Sequence, residues 1–122
     1  MSEPLLPDAL YAGGIWMLER DRPFDAAHFF RAMLIDSPTN ERAWLGLGTC
    51  HERLDQDEEA RDIYLAAYVA ASRKVRCGIA LSRVYRRGGQ AETAASTLES
   101  LDDFAEAEEM EELLHIERKC HE

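Results

Sequence analysis

No stretch of this 122-residue chain stays apolar for the roughly 20 residues that a membrane helix needs. The opening MSEPLLPDAL lacks a basic stretch ahead of an apolar core, so no secretory leader is expected. Cysteine is sparse. Cys50, Cys77 and Cys120 are odd in number and lack the spacing of a disulfide framework, which reads as free thiols in a reducing compartment. Cations are outnumbered 24 to 14, giving a net charge of −10, and phosphate contact needs clustered cations, so a nucleic-acid partner is not expected. Glu112 and His115 have the Glu-x-x-His spacing of di-iron bundles, but such sites need that motif twice plus further glutamates. Cys50-His51 and Cys120-His121 are adjacent pairs, unlike the spaced pairs of structural zinc sites. His28, beside Phe29 and Phe30, has no cysteine or acid constellation to make it a base. Gly46-x-Gly48 and Gly88-Gly89 have neither a preceding strand nor a following lysine–serine/threonine, so they are not phosphate loops. These absences lead to the expectation of a soluble, cytoplasmic protein with no catalysis, no cofactor, no metal and no stable membrane insertion.

What is present is periodic. The stretch Trp44 to Ala67 places Trp44, Leu47, Gly48, Ala60, Tyr64 and Ala67 at helical steps on either side of the polar break Asp55-Gln56-Asp57. Gly48 and Ala60 are small where two helices would cross, and Trp44 and Tyr64 supply bulk around the crossing. Stepping 34 residues back from Gly48, Ala60 and Tyr64 reaches Gly14, Ala26 and Phe30; stepping 34 forward reaches Ser82, Ala94 and Leu98. Small, small and bulky recur at the tetratricopeptide period, in which each unit is a helix–turn–helix. Leu10, Trp44 and Gly78 open the units, Met17, His51 and Tyr85 close the first helices, and Met33, Ala67 and Leu101 follow on the second helices.

The fold expected is all-α: three tandem repeats at about 7–40, 41–74 and 75–108 and a C-terminal capping helix at about 104–120, wound as a right-handed α-solenoid. At 46% hydrophobic and 31% charged, the chain reads as one domain over 1–122 that buries about two-thirds of its unfolded surface. Residues 1–7 read as a lead-in, Asp8 as the cap of the first helix, and Pro23 as a first-turn residue of the second. Gly13-Gly14 in mid-helix calls for close approach of that second helix. The cap places Phe104, Ala107, Met110, Leu113 and Leu114 on one stripe opposite a glutamate-rich face.

Charge is divided unevenly along the chain. Residues 99–122 hold ten acids and two bases, whereas residues 73–87 hold six cations and no acid. Arg76, Arg83 and Arg87 share one helix face. That face is either solvated, or lines a groove and holds an acidic stretch of a partner or of this chain's own tail. In tetratricopeptide stacks the first helix of each unit lines the concave side, and the positions not used for packing are Tyr11, Ile15 and Leu18, then Arg42, Leu45 and Thr49, then Arg76, Ile79 and Arg83. Apolar residues there mark a peptide-binding groove. Ile15, Leu45 and Ile79 equally suit contact with a neighbouring unit.

The segment LYAGGIWMLERDRPFDAAHFFRAMLIDSPTNERAWLGLGTCHERLDQDEEARDIYLAAYVA resembles the translocator-binding class II chaperones of bacterial type III secretion, the SycD/LcrH type. The likeness spans about residues 9–100, and its most selective piece is Leu45-Gly46-Leu47-Gly48-x-Cys50 after Trp44. The resemblance implies a bacterial cytoplasmic chaperone that holds an extended segment of a pore-forming translocator in its groove, with Tyr11, Leu18, Phe24 and Leu45 at groove positions. Family members carry an N-terminal helical extension used in dimerisation, while only about seven residues precede the first unit here, so a homodimer stays open. Two alternatives stand beside this: an assembly chaperone for a needle or export-gate subunit, and a general interaction scaffold. A clamp for a client's C-terminal carboxylate would want lysine and asparagine where Tyr11, Ile15 and Gly46 stand, with only Arg76 acceptable.

Overall fold

The computed structural model of the chain describes residues 7–121, and among them the regular structure is helical throughout. The helices are α1 (Pro7–Glu19), α2 (Pro23–Asp36), α3 (Glu41–Arg53), α4 (Asp57–Ala70), α5 (Val75–Arg87), α6 (Ala91–Glu99), α7 (Asp102–Glu108) and α8 (Glu111–Cys120). Local chemistry explains several of the ends. Pro23 occupies the first turn of α2, where its missing N–H has no partner to lose. The Asn40 side chain accepts from the Ala43 amide at 3.2 Å to start α3, and Asp57, Glu58 and Glu59 sit at the positive end of α4. Lys74 donates to the carbonyls of Tyr68, Val69 and Ala71 and closes the far end of α4. Asp8 does not cap α1 as expected: the helix already begins at Pro7, so Asp8 lies inside its first turn, 3.4 Å from Arg42 Nη1.

Each helical hairpin turns in the same way. Asp21, Asp55 and Gly89 adopt left-handed backbone (φ 56°, 57° and 80°) at intervals of one repeat. The following amides, of Arg22, Gln56 and Gln90, each return 2.9 Å to the carbonyls of Met17, His51 and Tyr85. This six-residue closure satisfies the last carbonyls of the first helix and reverses the chain. The pairs α1–α2, α3–α4 and α5–α6 then stack side by side, α2 against α3 and α4 against α5.

Close approach within the stack rests on rings seated over glycines. Phe30 is fully buried, and a methyl group on either Gly14 or Gly46 would come within 2.6 Å of its ring, so one phenyl fills the space between α1, α2 and α3. Tyr64 covers Gly48, with its hydroxyl bonded to Glu52, and Leu101 covers Gly78. In the third unit Ser82 is buried at the position of Gly14 and Gly48, its hydroxyl turned to the Ile79 carbonyl at 2.7 Å.

The C-terminal segment departs from expectation. Instead of one capping helix over 104–120 there are two, because Glu109 is left-handed (φ 58°) and the Met110 amide returns to the Ala105 carbonyl at 2.8 Å. Left-handed backbone is unfavourable for glutamate, so tertiary contacts impose it. Arg73 donates to the Glu108 carbonyl at 3.0 Å, ending α7. The Glu108 carboxylate accepts the amides of Lys74 (2.7 Å) and Val75 (3.2 Å), capping an α5 that has no side-chain cap of its own. Phe104, Met110 and Leu114 pack with Val75, Ile79 and Leu101, whereas Ala107 and Leu113, expected on the same stripe, are exposed.

Gly48→Ala gains about 1 kcal/mol of helix propensity. It also drives a methyl into a Tyr64 ring that is pinned at its hydroxyl, an overpacking cost of about 1–3 kcal/mol. The expected outcome is a net loss of up to about 2 kcal/mol in urea unfolding. Gly88→Ala, whose methyl would meet only carbonyls at 3.5 Å, should stay within about 0.5 kcal/mol. An unchanged midpoint for Gly48→Ala would show that the ring does not set the helix spacing.

Candidate functional site

Apolar side chains on one face of α3 and one face of α5 leave a hollow where the two helices diverge. Leu45, Thr49 and Glu52 come from α3, Tyr64 from α4, Arg76, Ile79, Ala80, Arg83 and Arg87 from α5, and Leu113 from α8; together they enclose about 420 Å³. Leu45, Ile79, Ala80 and Leu113 make its apolar walls, and the three arginines space its rim one helical turn or two apart. Of the ten residues expected at a groove, five line this hollow: Leu45, Thr49, Arg76, Ile79 and Arg83.

The other five sit elsewhere. Tyr11 and Ile15 are half-buried against the first core cluster, and Tyr11 tilts on Phe30 at 6.0 Å between ring centres. Arg42 stacks over the outer face of Tyr11 at 3.8 Å. Leu18, in the last turn of α1, is buried in that same cluster and is absent from the lining of the hollow, so it is withdrawn from the groove set, whereas Ile79, also buried, lines it. Phe24 opens α2 and is 66% exposed, edge-on to His28, away from the hollow. Glu52, Tyr64, Ala80 and Leu113 were not anticipated, and Arg87 was expected only as part of the arginine face. Tyr64 reads from sequence as packing alone, and Leu113 reaches the wall only because the chain breaks at Glu109.

Each rim arginine meets an acid from another element. Arg83 grips Glu117 of α8 through Nη2 at 2.6 Å and Nε at 3.1 Å, and Glu117 is 4% exposed. Burial works against the Glu117 charge, but Arg83 and His121 Nε2, 2.9 Å away, outweigh it and hold the carboxyl below its ordinary value. Arg87 reaches Glu52 at 2.9 Å and Asp57 at 3.3 Å. Arg76 lies 3.8 Å from Glu41, and Arg73 lies 3.9 Å from it. One Glu41 oxygen is buried without a hydrogen-bond partner, and burial pushes this carboxyl up against the opposing pull of Arg76 and Arg73. Of the two outcomes open for the arginine face, the chain's own tail therefore takes Arg83, and Arg86 also holds the Cys120 carbonyl at 2.6 Å.

No group of three or more His, Cys, Asp or Glu among the described residues is arranged to hold a metal ion. Cys50 and Cys77 are fully buried, and burial pushes their thiols up to about 11 and about 12. None of the described helices is long and apolar enough to cross a membrane.

A tetratricopeptide repeat model matches residues 17–71. No curated protein sequence matches the chain. Among solved structures the chain is similar to the type III secretion translocator chaperone SycD of Yersinia enterocolitica, with a TM-score of 0.81 at 21% identity over 94% of this chain and 87% of that one. It is similar to PcrH from Pseudomonas aeruginosa, with a TM-score of 0.79 at 23% identity over 96% and 92% of the two chains. Against PcrH in complex with the chaperone binding region of PopD the TM-score is 0.72 at 26% identity, over 93% and 88%. The fold is that of the tetratricopeptide translocator chaperones, in keeping with the resemblance carried by the sequence.

Two measurements check the electrostatics. With a thiol reagent, only Cys120 of the three cysteines should react in the native protein, and all three in denaturant; rapid native labelling of Cys50 or Cys77 would contradict their burial. Glu41 is raised in the folded state, so its contribution to stability is full below the unfolded value and lost as pH rises through the folded one. Unfolding free energy should accordingly fall as pH rises just above the ordinary carboxylate range, and Glu41→Gln should flatten that slope. A slope identical in Glu41→Gln would assign it to other groups.

Proposed function

We propose that residues 1–122 form a single tetratricopeptide-repeat domain that serves as a non-enzymatic cytoplasmic chaperone of bacterial type III secretion. It binds an extended apolar segment of a translocator in the hollow between α3 and α5 and keeps that client soluble before export. The observation that carries this reading is the hollow itself: apolar walls with arginines on the rim, on a fold shared with chaperones solved with their clients. PcrH has been solved with the chaperone binding regions of PopB and PopD, and SycD with a peptide of the translocator YopD.

Physically, an extended chain sends alternate side chains to one face, so every second residue can enter the walls formed by Leu45, Ile79, Ala80 and Leu113. Each leucine-sized side chain removed from water contributes about 1.5–3 kcal/mol before ordering costs. A few such side chains give reversible, micromolar-range binding, tight enough to mask a client and weak enough to release it. Arginine forks along the rim donate to carbonyls or carboxylates of the bound strand. No bond is made or broken.

Thr49 is half-buried at the edge of the hollow, with its hydroxyl on the Leu45 carbonyl at 2.8 Å. Thr49→Arg should fill the space and weaken capture of a co-expressed translocator at least about tenfold, while the melting curve shifts by less than about 1 kcal/mol equivalent. Undiminished capture by a folded Thr49→Arg variant would remove this hollow as the binding site.

A further inference from the structure

A second cavity, of about 560 Å³, lies beside the first and is lined by Arg83, Arg86, Arg87, Glu117, Cys120 and His121. Arg83 and Arg87 belong to both linings, and Glu117, held by Arg83, lines the second. Resting on the groove reading above, we propose that Glu117 holds the place of a client carboxylate. The groove takes an extended segment bearing an acidic residue, and that residue competes with Glu117 for Arg83.

Three observations converge on this. The geometry at Arg83 is a two-pronged fork on a carboxylate, the arrangement this guanidinium would offer any acid entering along the groove. The helix that carries Glu117 has little apolar anchorage: Leu114 is its one buried apolar residue, while Leu113 and Ile116 are 39% and 53% exposed. Its other ties are polar, from Arg118 to the Leu98 carbonyl and Asp102 and from Arg86 to the Cys120 carbonyl. The neighbouring α7 is fixed instead through Ala105 and the Glu108 cap on α5, and the two helices meet at the left-handed Glu109. Elements with few buried contacts are the ones that open at low free energy. Exchange of one carboxylate for another conserves charge and hydrogen bonds at Arg83, whose side chain is 60% exposed and so open to a second acid. His121 remains 2.9 Å from Glu117 as its other partner. With Glu117 displaced, Arg83 turns to the strand, and the arginines shared by both linings lead it from the first cavity toward the second. Glu117 thereby sets a threshold: apolar segments with an acid in register bind past α8, and neutral ones do not.

The test uses the full chain and two fluorescent peptides with both ends blocked, alternating leucine and serine, identical except for one central glutamate or glutamine. Dissociation constants are measured for wild type, Glu117→Gln and Arg83→Gln, with far-UV circular dichroism confirming helix content. Wild type should prefer the glutamate peptide modestly. Glu117→Gln should bind the glutamate peptide about three- to fivefold tighter, with little change for the glutamine peptide. Arg83→Gln should bind the two peptides equally. Equal tightening of both peptides by Glu117→Gln would mean that α8 is merely loosened, and weakened binding of both would mean that the pair is a structural staple; either overturns the proposal. Should Glu117→Gln fail to fold, the loss of peptide preference in Arg83→Gln decides alone. Binding that Thr49→Arg abolishes but that ignores Glu117 and Arg83 sinks this inference and leaves the groove reading standing. If neither peptide binds wild type, both fall.

Discussion

A ring lying directly on helix backbone is the contact from which the rest of the architecture follows. Phe30 reaches Gly14 on one side and Gly46 on the other, so the spacing of α1, α2 and α3 is set by the thickness of one phenyl group. Tyr64 on Gly48 repeats the device in the next unit and Leu101 on Gly78 in the third, although there the seat has moved one turn along the helix. Interiors at crystalline density tolerate neither a void nor an added methyl at such points. A first helix drawn this tightly onto its partner leaves its opposite face uncovered, and in the second and third units that face is the hollow.

Complementary volumes explain why some repeat positions look irregular. Trp44 and Gly78 occupy one column, Ala67 and Leu101 another, and neither column is uniform. Trp44 packs on the cluster containing Ala67, whereas Gly78 is covered by Leu101, so a large first-helix residue goes with a small second-helix one and the reverse. What is preserved between units is the summed volume at the crossing, not the identity of either residue.

That distinction marks how far the sequence could be read. The hairpins were legible because small and bulky residues return at a fixed interval, and because Gly89 and Pro23 announce a turn and a helix start. The break at Glu109 was not legible, since nothing about glutamate signals left-handed backbone; the cause lies in Arg73, Lys74 and Val75, more than 30 residues away. The candidate site inherits this asymmetry. Leu45, Thr49, Arg76, Ile79 and Arg83 follow from first-helix periodicity, but Leu113 and Glu117 reach the site only through the break. Leu18 failed for a different reason: at the end of α1 the chain converges on the Arg53 side chain and the core, so a position that would face outward in mid-helix is covered.

The charge pattern connects fold and site. A chain with net charge −10 places three arginines on the rim of its hollow and opposes each with an acid from another element: Glu41 from α3 for Arg76, Glu117 from α8 for Arg83, Glu52 and Asp57 from α3 and α4 for Arg87. The guanidinium sides of these pairs are all about half exposed, but the Glu117 and Glu41 side chains are only 6% and 10% exposed. Only the Arg87 pairs therefore belong to the exposed class that contributes about 0–1 kcal/mol. Arg83 and Arg76 instead compensate buried carboxylates, while buried rings and turn closures hold the stack. An acid on a bound strand that takes over one of these arginines meets a guanidinium already oriented by its resident carboxylate. A rim built this way keeps its donors positioned in advance, which lowers the ordering cost that binding would otherwise carry.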